Sequence, residues 1–208
     1  MSDDDAITIY SDYVCPFCYL GRQSLAEYQE TREDELAIDW QPFDLRAQKR
    51  NDDGSIDHDV DDGKDEEYYE EAKQNVERLK EEYGADEMTV DISRDVDSLP
   101  AQVASFYVNE EYPESWLDFD VAIFEALWED GRDIGDRDVL ADLAEDAGLD
   151  GDEIREVAGD EEWRNRLREQ FSEARERGVS GVPTFAYDGY GARGAVPPEQ
   201  LERLVEGT

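Results

Sequence analysis

Cysteine and histidine are nearly absent from this sequence. Its 208 residues contain two cysteines, Cys15 and Cys18, and one histidine, His58. Structural zinc and iron–sulfur sites usually take four ligands from these residue types, often as two separated Cys-x-x-Cys pairs. The scarcity argues against a complete site of this kind in one chain and leaves only a half-site shared across a dimer. We therefore expect no metal and no other cofactor, and His58 is interpreted as a solvated residue in an acidic loop.

Positive charge is also scarce. Lysine and arginine together number 20 against 58 aspartate and glutamate residues, which gives a net charge of −38, and only four of the cations are lysines. A field of this sign repels the phosphates of nucleic acids and of anionic membranes. The composition therefore predicts no nucleic-acid partner and no membrane partner.

The acidity itself has two interpretations. High net charge with few apolar residues is typical of disordered chains. In this chain, however, the acids alternate with Trp, Phe, Leu and Val at regular spacings along the whole length. At about 1 M salt the Debye length falls to roughly 3 Å, so surface carboxylates repel each other little and keep a protein hydrated. We predict a folded, halophilic protein.

Long hydrophobic runs are missing as well. No window approaches the roughly 18 apolar residues that a membrane-spanning helix needs. The start "MSDDDAITIY" lacks the basic segment and apolar stretch of a signal peptide. These absences predict a cytoplasmic protein. In that compartment structural disulfides are rare, and a close cysteine pair is more often catalytic or metal-binding.

The N-terminal part has the pattern of a β-α-β unit. Residues 6–10, "AITIY", form a short β-branched run that is typical of a buried strand. Apolar residues recur at near-helical spacing over 16–29, and residues 35–43 alternate apolar and polar side chains like a second strand. A unit of this length normally has parallel strands and a right-handed crossover.

The middle of the chain changes character after the second strand. Residues 46–67 are charged and poor in apolar side chains, which predicts a mobile loop or linker. Amphipathic spacing then predicts a series of helices, with Asp136, Asp150 and Asp160 placed as N-caps. Asp150 and Glu153 together resemble a capping box.

The C-terminal part returns to strands. Asp188-Gly189 between two short runs predicts a β-hairpin with a type I′ turn, and residues 197–207 predict a final helix that begins with proline. The order as a whole predicts a split α/β domain that carries a helical insertion. The predicted units are an α/β domain of residues 1–45 and 162–208 and an inserted helical domain of residues 46–161.

The two cysteines stand at the predicted start of the first helix. Pro16 suits the first helical position, where its missing N–H costs nothing. The N–H groups of the first turn and the helix dipole favour the thiolate of Cys15. Cys18 is one turn further on, on the same face, and should be less exposed. This arrangement predicts that Cys15 attacks a substrate disulfide and that Cys18 resolves the mixed disulfide; two inert buried thiols are the alternative.

A second feature is the stretch "GVSGVPTF" at residues 178–185. Val182-Pro183 stands where the first strand of the predicted hairpin begins. A trans proline is tolerated at a strand start, and only about 5–6% of X–Pro bonds are cis. The flanking Gly181, and a position next to the strand expected to neighbour the active-site strand, favour an unusual backbone. The residues alone leave both isomers open.

The combination of these features resembles the thioredoxin superfamily. A strand, "DYVCPFCYLG", a β-α-β unit, a helical insertion and "GVSGVPTFAYDGYGARGAVPPEQLERLV" follow the order of the DsbA family, and "ALWEDGRDIGDRDVLADLAEDAGLD" (126–150) is similar to the insertion of its FrnE-like branch. The resemblance covers nearly the whole chain. It implies an α/β, thioredoxin-like fold with a helical domain inserted after the N-terminal β-α-β unit. It also implies an enzyme, a thiol–disulfide oxidoreductase that acts on protein or peptide thiols and disulfides and has an unidentified redox partner.

The resemblance assigns roles to residues as well. The Cys-Pro-Phe-Cys dithiol would be the redox-active centre, with Cys15 as nucleophile and Cys18 as resolving cysteine. Pro183 would be a cis-proline beside them. The backbone of Val182 would then pair with an extended substrate segment, which is recognition by strand addition.

Two positions depart from the family pattern. DsbA proteins commonly carry histidine between the cysteines, where this chain has Pro16-Phe17. Thioredoxins and DsbA place a buried acid six residues before the first cysteine, where this chain has Ile9. These departures predict a redox potential between roughly −120 mV, the value of DsbA, and roughly −270 mV, the value of thioredoxin.

Two other functions fit parts of the pattern. Kappa-type glutathione transferases and 2-hydroxychromene-2-carboxylate isomerases look similar in architecture and bind glutathione, but they typically have a lone serine in place of the cysteine pair. A non-catalytic, chaperone-like binding module is the second alternative. The physiological substrate, the direction of electron flow and the oligomeric state carry no signal in the sequence.

Overall fold

The structure, a computed structural model, describes residues 6–51, 53–61, 63, 65–90 and 95–207. The strands are β1 (Ala6–Ser11), β2 (Ala37–Pro42), β3 (Thr184–Tyr187) and β4 (Tyr190–Arg193). The helices are α1 (Pro16–Thr31), α2 (Glu66–Glu82), α3 (Leu99–Glu111), α4 (Pro113–Trp128), α5 (Arg137–Asp146), α6 (Gly151–Val157), α7 (Glu161–Glu176) and α8 (Pro198–Glu206), with a short 3-10 helix at Ala47–Lys49. The predicted α/β fold, with helices inserted after the first β-α-β unit, is confirmed.

One mixed sheet positions both ends of the chain. Its strand order is β2-β1-β3-β4, with β1 parallel to β2 and antiparallel to β3. Ile9 pairs with Trp40 on one side and with Phe185 on the other. Because β1 and β3 run in opposite directions, the end of β1 lies beside the beginning of β3, where Tyr10 pairs with Thr184. The segment that follows β1 and the segment that precedes β3 therefore meet at one edge of the sheet.

The turn between β3 and β4 has the predicted geometry. Asp188 and Gly189 have positive φ angles of 47° and 81°, as a type I′ turn requires. Tyr187 and Tyr190 pair directly across it. The sequence signal for this hairpin is confirmed.

Helices α2–α6 share one apolar core with the N-terminal unit. The largest cluster of buried apolar side chains joins Cys18 and Trp40 to Phe119 and Leu127 of α4, and all four are at most 3% exposed. The Trp and Phe residues of the helical block are core residues, as expected, whereas its tyrosines are half-buried or exposed. The assignment of residues 46–161 to a separate inserted domain stays a prediction. The apolar core contains residues from both predicted domains. In the part of the chain that the structure describes, every helix is too short or too polar to cross a bilayer.

The three predicted aspartate N-caps, Asp136, Asp150 and Asp160, are confirmed. Asp136 accepts from the N–H of Asp138, Asp150 from those of Asp152 and Glu153, and Asp160 from those of Glu162 and Trp163. The predicted capping box at α6 is realised in its first half. The Glu153 carboxylate turns instead to the hydroxyl groups of Tyr107 and Tyr112, which ties α6 to the end of α3.

The predicted linker 46–67 is anchored at Arg50. The Arg50 guanidinium binds Asp44 at 2.8 Å and Asp97 at 3.0 Å, and the Arg50 side chain is 7% exposed. Residue 50 also forms an isolated β-bridge with Ile56. This first part of the linker is therefore packed, in contrast to the expected mobile loop, because one arginine neutralises two carboxylates. Positions 52, 62 and 64 of the predicted linker lie outside the described residues.

Replacing Arg50 with methionine is expected to destabilise the protein by about 3–5 kcal/mol, because it leaves the buried Asp44 carboxylate without a counter-charge. Arg78→Met is the matched control, since Arg78 forms an exposed i,i+4 pair with Glu82 that is worth about 0–1 kcal/mol. The measurement is urea unfolding at constant salt. Equal unfolding midpoints for the two variants would contradict the assigned role of Arg50.

Candidate functional site

Cys15 lies at the N-cap of α1, directly after the loop that leaves β1. Its backbone is extended, with φ −92° and ψ 114°, and Pro16 takes the first helical position as predicted. The Cys15 carbonyl accepts the N–H groups of Cys18 and Tyr19 at 3.0 and 3.3 Å, which closes the first turn. Cys15 is 4% exposed, so only a small part of its surface is open to a substrate.

Cys18 lies one turn inside α1 and is 1% exposed. Both cysteines are free thiols, and the side chain of Cys18 is hydrogen-bonded to that of Cys15. Burial raises the pKa of Cys18 well above its usual range, and the contact with Cys15 adds to the rise, while a hydrogen bond with the backbone of Asp12 opposes it. Cys18 is therefore held as a neutral thiol next to Cys15.

The Val182–Pro183 peptide bond is cis, which confirms the expectation taken from the family resemblance. The Val182 carbonyl accepts a hydrogen bond from Cys15 Sγ at 3.5 Å. Pro183 is buried and Val182 is half-buried. The structure thus brings four predicted site residues from opposite ends of the chain to one place: Cys15, Cys18, Val182 and Pro183.

Gly21 permits the close approach of α1 to this proline. A side-chain carbon at Gly21 would lie 3.2 Å from Pro183 Cγ and 3.1 Å from Phe185 Cζ. Ordinary contacts between carbon atoms lie at about 3.5–4.0 Å, so a larger residue would push β3 away from α1. Gly21 was not among the predicted site residues. The signal was present, since a glycine inside a predicted helix often marks a close packing contact.

The residues that depart from the family pattern are buried or half-buried in the structure. Phe17 is half-buried and packs on the main core, and Pro16 is also half-buried. Ile9 is fully buried within β1. Position 9 therefore carries no acid. A buried acid from another position of the sequence lies near the dithiol instead.

Asp12 is that acid, and sequence reasoning missed it. It is 1% exposed. Its carboxylate accepts hydrogen bonds from Ser98 Oγ at 2.6 Å, from the N–H of Leu45 at 2.9 Å and from the N–H of Val14 at 3.3 Å. Its backbone is hydrogen-bonded to Cys18. Asp12 therefore belongs to the immediate surroundings of the dithiol.

The ionisation of Asp12 is balanced between opposing effects. Burial raises the pKa of Asp12 to about 6 and the charge of Asp44 contributes to the rise, while the hydrogen bonds from Ser98, Leu45 and Val14 lower it. The Asp12 charge in turn helps to raise the pKa of Cys18. A buried carboxyl group beside the dithiol thus changes its charge close to neutral pH.

Aromatic side chains fix the loop between β1 and α1 against the inserted helices. The Tyr13 ring lies 4.7 Å from that of Phe124 and 6.1 Å from that of Trp40. Trp128 Nε1 donates to the Tyr13 carbonyl at 2.8 Å, and the Tyr13 hydroxyl donates to the buried Asp120 at 2.9 Å. The insertion therefore holds the segment that carries Asp12 and Cys15.

Among the described residues, no group of three or more His, Cys, Asp or Glu side chains is arranged to hold a metal ion. The only histidine, His58, has a side chain that is 62% exposed and lies 3.7 Å from Asp95. This position agrees with the interpretation of His58 as a solvated loop residue.

Comparison with known sequences gives a match along nearly the whole chain. The profile of the DSBA-like thioredoxin domain family matches residues 6–206. Among curated proteins, the uncharacterized protein YwbO of Bacillus subtilis (strain 168) is 26% identical over 200 residues, which cover 96% of this chain and 94% of YwbO.

Solved structures show the same fold. The probable DsbA oxidoreductase SCO1869 from Streptomyces coelicolor superposes with a TM-score of 0.75 at 24% identity, over 97% of this chain and 88% of that one. A 2-hydroxychromene-2-carboxylate isomerase superposes with a TM-score of 0.74 at 21% identity, over 97% of this chain and 93% of that one. The scaffold is therefore shared by proteins of different activity, and the residues of the site have to decide between them.

Proposed function

Because the chain belongs to the DSBA-like thioredoxin domain family, we propose that it is a thiol–disulfide oxidoreductase that exchanges disulfides with protein or peptide substrates. One observation carries the proposal: the hydrogen-bonded thiols of Cys15 and Cys18 lie at a helix start, with Cys15 Sγ 3.5 Å from the carbonyl of the cis Val182–Pro183 bond. A nucleophilic thiol, a resolving thiol and a backbone able to hold an extended segment are what this exchange needs.

The exchange takes place in two steps. The Cys15 thiolate attacks one sulfur of the substrate disulfide, the substrate S–S bond breaks, and the other substrate sulfur leaves as a thiolate. Cys18 then loses its proton and attacks Cys15 Sγ. This step forms the Cys15–Cys18 disulfide and releases, as a thiolate, the substrate sulfur that was bound to Cys15. The substrate gains two electrons and the dithiol loses two; the reverse sequence delivers a disulfide to a reduced substrate.

Substrate binding at the Val182 carbonyl depends on whether the Cys15 sulfur carries a proton. In the reduced protein the Cys15 thiol donates to the Val182 carbonyl. A thiolate or a mixed disulfide has no proton to donate, so this carbonyl becomes available to an N–H of the substrate. Main-chain pairing of this kind gives affinity with little dependence on sequence. We expect extended segments that surround a cysteine to be the preferred substrates.

We also propose a branch of the family and a cellular setting for this protein. The stretch at residues 126–150 supports the FrnE-like branch of the family. The net charge of −38 supports adaptation to high salt, and the shortage of cysteine supports a cytoplasmic location. In that setting the redox partner is a cytoplasmic thiol system.

Glutathione chemistry of the isomerase type is the second candidate, and the shared scaffold is the observation that favours it. The two candidates differ at Cys18. An oxidoreductase needs the second thiol to form an internal disulfide, whereas an enzyme that only binds glutathione does not.

Incubation of the reduced protein with oxidised glutathione tests the choice. We expect full conversion to the Cys15–Cys18 disulfide, seen as the loss of both alkylatable thiols and of two hydrogen masses. Stable retention of glutathione, with both thiols still free, would instead favour the isomerase-type activity.

A further inference from the structure

The end of α2 is fastened to the loop that follows β4. The Tyr83 hydroxyl donates to the Ala195 carbonyl at 2.6 Å, across 112 positions of the sequence. Gly194, the residue before Ala195, donates its N–H to the Pro183 carbonyl at 2.9 Å. The peptide bond before this proline is the cis bond whose carbonyl accepts from Cys15 Sγ. Tyr83 therefore joins an inserted helix to the backbone segments that flank Cys15.

The apolar face of α2 packs into the same core as the dithiol. Val76 and Leu79 are 3% and 9% exposed, and they belong to the cluster of buried residues that contains Cys15. Tyr83 and Ala195 are half-buried and pack against this cluster. Because Val76, Leu79 and Tyr83 are three and four positions apart, they form one stripe along α2. This stripe faces the part of the molecule that holds the dithiol, where α2 contacts α1.

Cys15 is nearly covered in this arrangement, with 4% of its surface exposed. Disulfide exchange depends on access, because the attacking sulfur has to reach a sulfur of the substrate. A small disulfide carries little bulk next to its sulfur atoms, whereas a cysteine of a protein brings a chain segment on both sides. The described conformation therefore admits small disulfides more readily than protein disulfides.

α2 is the element next to Cys15 that can move at low cost. Among those of its residues whose side chains the structure describes, α2 buries only Val76 and Leu79. α4, a helix of similar length, buries residues from Trp116 to Trp128. Elements with few buried apolar contacts open locally at a lower free energy than the core. The hydrogen bond of Tyr83 to Ala195 favours the closed position of α2.

We propose that Tyr83 determines which disulfides reach Cys15. Its bond to Ala195 holds α2 closed beside the dithiol, so that small disulfides react directly and protein disulfides react when this bond opens. The inference rests on the proposed oxidoreductase function. Tyr83 is a specificity-determining residue that acts through the position of α2, and the exchange at the sulfur atoms is unchanged.

The test compares a small and a large disulfide. Reduced protein is mixed in concentrated potassium chloride with an excess of either hydroxyethyl disulfide or insulin, and the loss of alkylatable thiols is followed by mass spectrometry. Tyr83→Phe keeps the ring and removes the hydroxyl. In this variant the rate with insulin should rise about 2- to 10-fold, the factor that corresponds to the net strength of one hydrogen bond. The rate with hydroxyethyl disulfide should stay the same.

Tyr112→Phe is the matched control. Tyr112 is also a half-buried tyrosine that ends an inserted helix, but its hydroxyl donates to Glu153 at 3.1 Å. This variant should leave both rates unchanged. A general loss of stability in Tyr83→Phe would raise the two rates together, so a change confined to insulin reports on the access to Cys15.

Amide hydrogen exchange measures the opening itself. In the unmodified protein the amides in the second half of α2 should exchange faster than those in the middle of α4, because α2 opens locally. Tyr83→Phe should speed the exchange of α2 by the same factor as the reaction with insulin. The exchange of α4 should not change.

An equal ratio of the two rates in Tyr83→Phe and in the unmodified protein would overturn the proposal. If the variant does not fold, the unmodified protein decides: α2 amides as well protected as those of α4 would overturn it. If neither disulfide oxidises the unmodified protein, the oxidoreductase function fails, and the role of Tyr83 with it. The two failures are distinguishable, because the first leaves oxidation by the small disulfide intact.

Discussion

Replacement of Cys15 by serine is expected to abolish disulfide exchange with protein substrates, with a loss of about 1,000-fold or more in rate. A serine hydroxyl forms no disulfide, so neither step of the exchange can begin. The measurement is the oxidation of a reduced, unfolded protein with several cysteines, in the presence of catalytic amounts of this protein and oxidised glutathione. Activity that survives in Cys15→Ser would favour a non-catalytic binding module.

Cys18→Ser is the matched variant, because it makes the same replacement of sulfur by oxygen one turn further along α1. The first step remains possible, since Cys15 still attacks, but the mixed disulfide has no resolving thiol. We expect this variant to accumulate covalent adducts at Cys15 that reducing agent releases. Identification of the trapped proteins would name the substrates. If Cys18→Ser trapped no more protein than Cys15→Ser, the assigned roles would be wrong.

Removal of salt is expected to unfold the chain. The net charge is −38, and between about 1 M and 0.01 M salt the Debye length grows from roughly 3 to 30 Å. At low salt each carboxylate therefore interacts with most of the others on a molecule of this size. Native domains are stable by only about 5–15 kcal/mol, so summed repulsion of this extent exceeds the stability of the fold. Circular dichroism of a desalted sample, followed through a titration with potassium chloride, should show loss and then recovery of helix.

Sucrose provides the control for this experiment. It stabilises folded proteins by exclusion from their surface but does not screen charge. If charge repulsion is the cause, potassium chloride should restore the fold at concentrations where sucrose of equal osmolality does not. Equal stability at low and high salt would contradict the halophilic interpretation.

The local features of this protein could be predicted because neighbouring residues determine them. The start of α1 follows from Pro16 behind Cys15, and the hairpin follows from Asp188-Gly189, since each depends on backbone preferences within a few residues. The cis bond before Pro183 was different. Its neighbouring residues favoured an unusual backbone but left both isomers open, and the family resemblance predicted the cis form that the structure shows.

The surroundings of the dithiol could not be predicted in the same way. Ser98 and Asp12 are 86 positions apart in the sequence, and Asp12 is one of 58 acidic residues. In so acidic a chain, a carboxylate that is buried beside the dithiol has no sequence signature that separates it from the solvated ones. The ion pair between Arg50 and Asp97 could not be predicted either, because Asp97 comes from a loop that is distant in the sequence.

A measurement of the midpoint potential of the dithiol shows whether Cys15 and Cys18 form a working redox couple. The protein is equilibrated in a series of glutathione buffers at high salt, and its free thiols are alkylated and counted by mass. We expect one two-electron transition between the dithiol and the Cys15–Cys18 disulfide, at a potential between roughly −120 and −270 mV. Two thiols that stay reduced across the whole series, or a transition outside this interval, would contradict it.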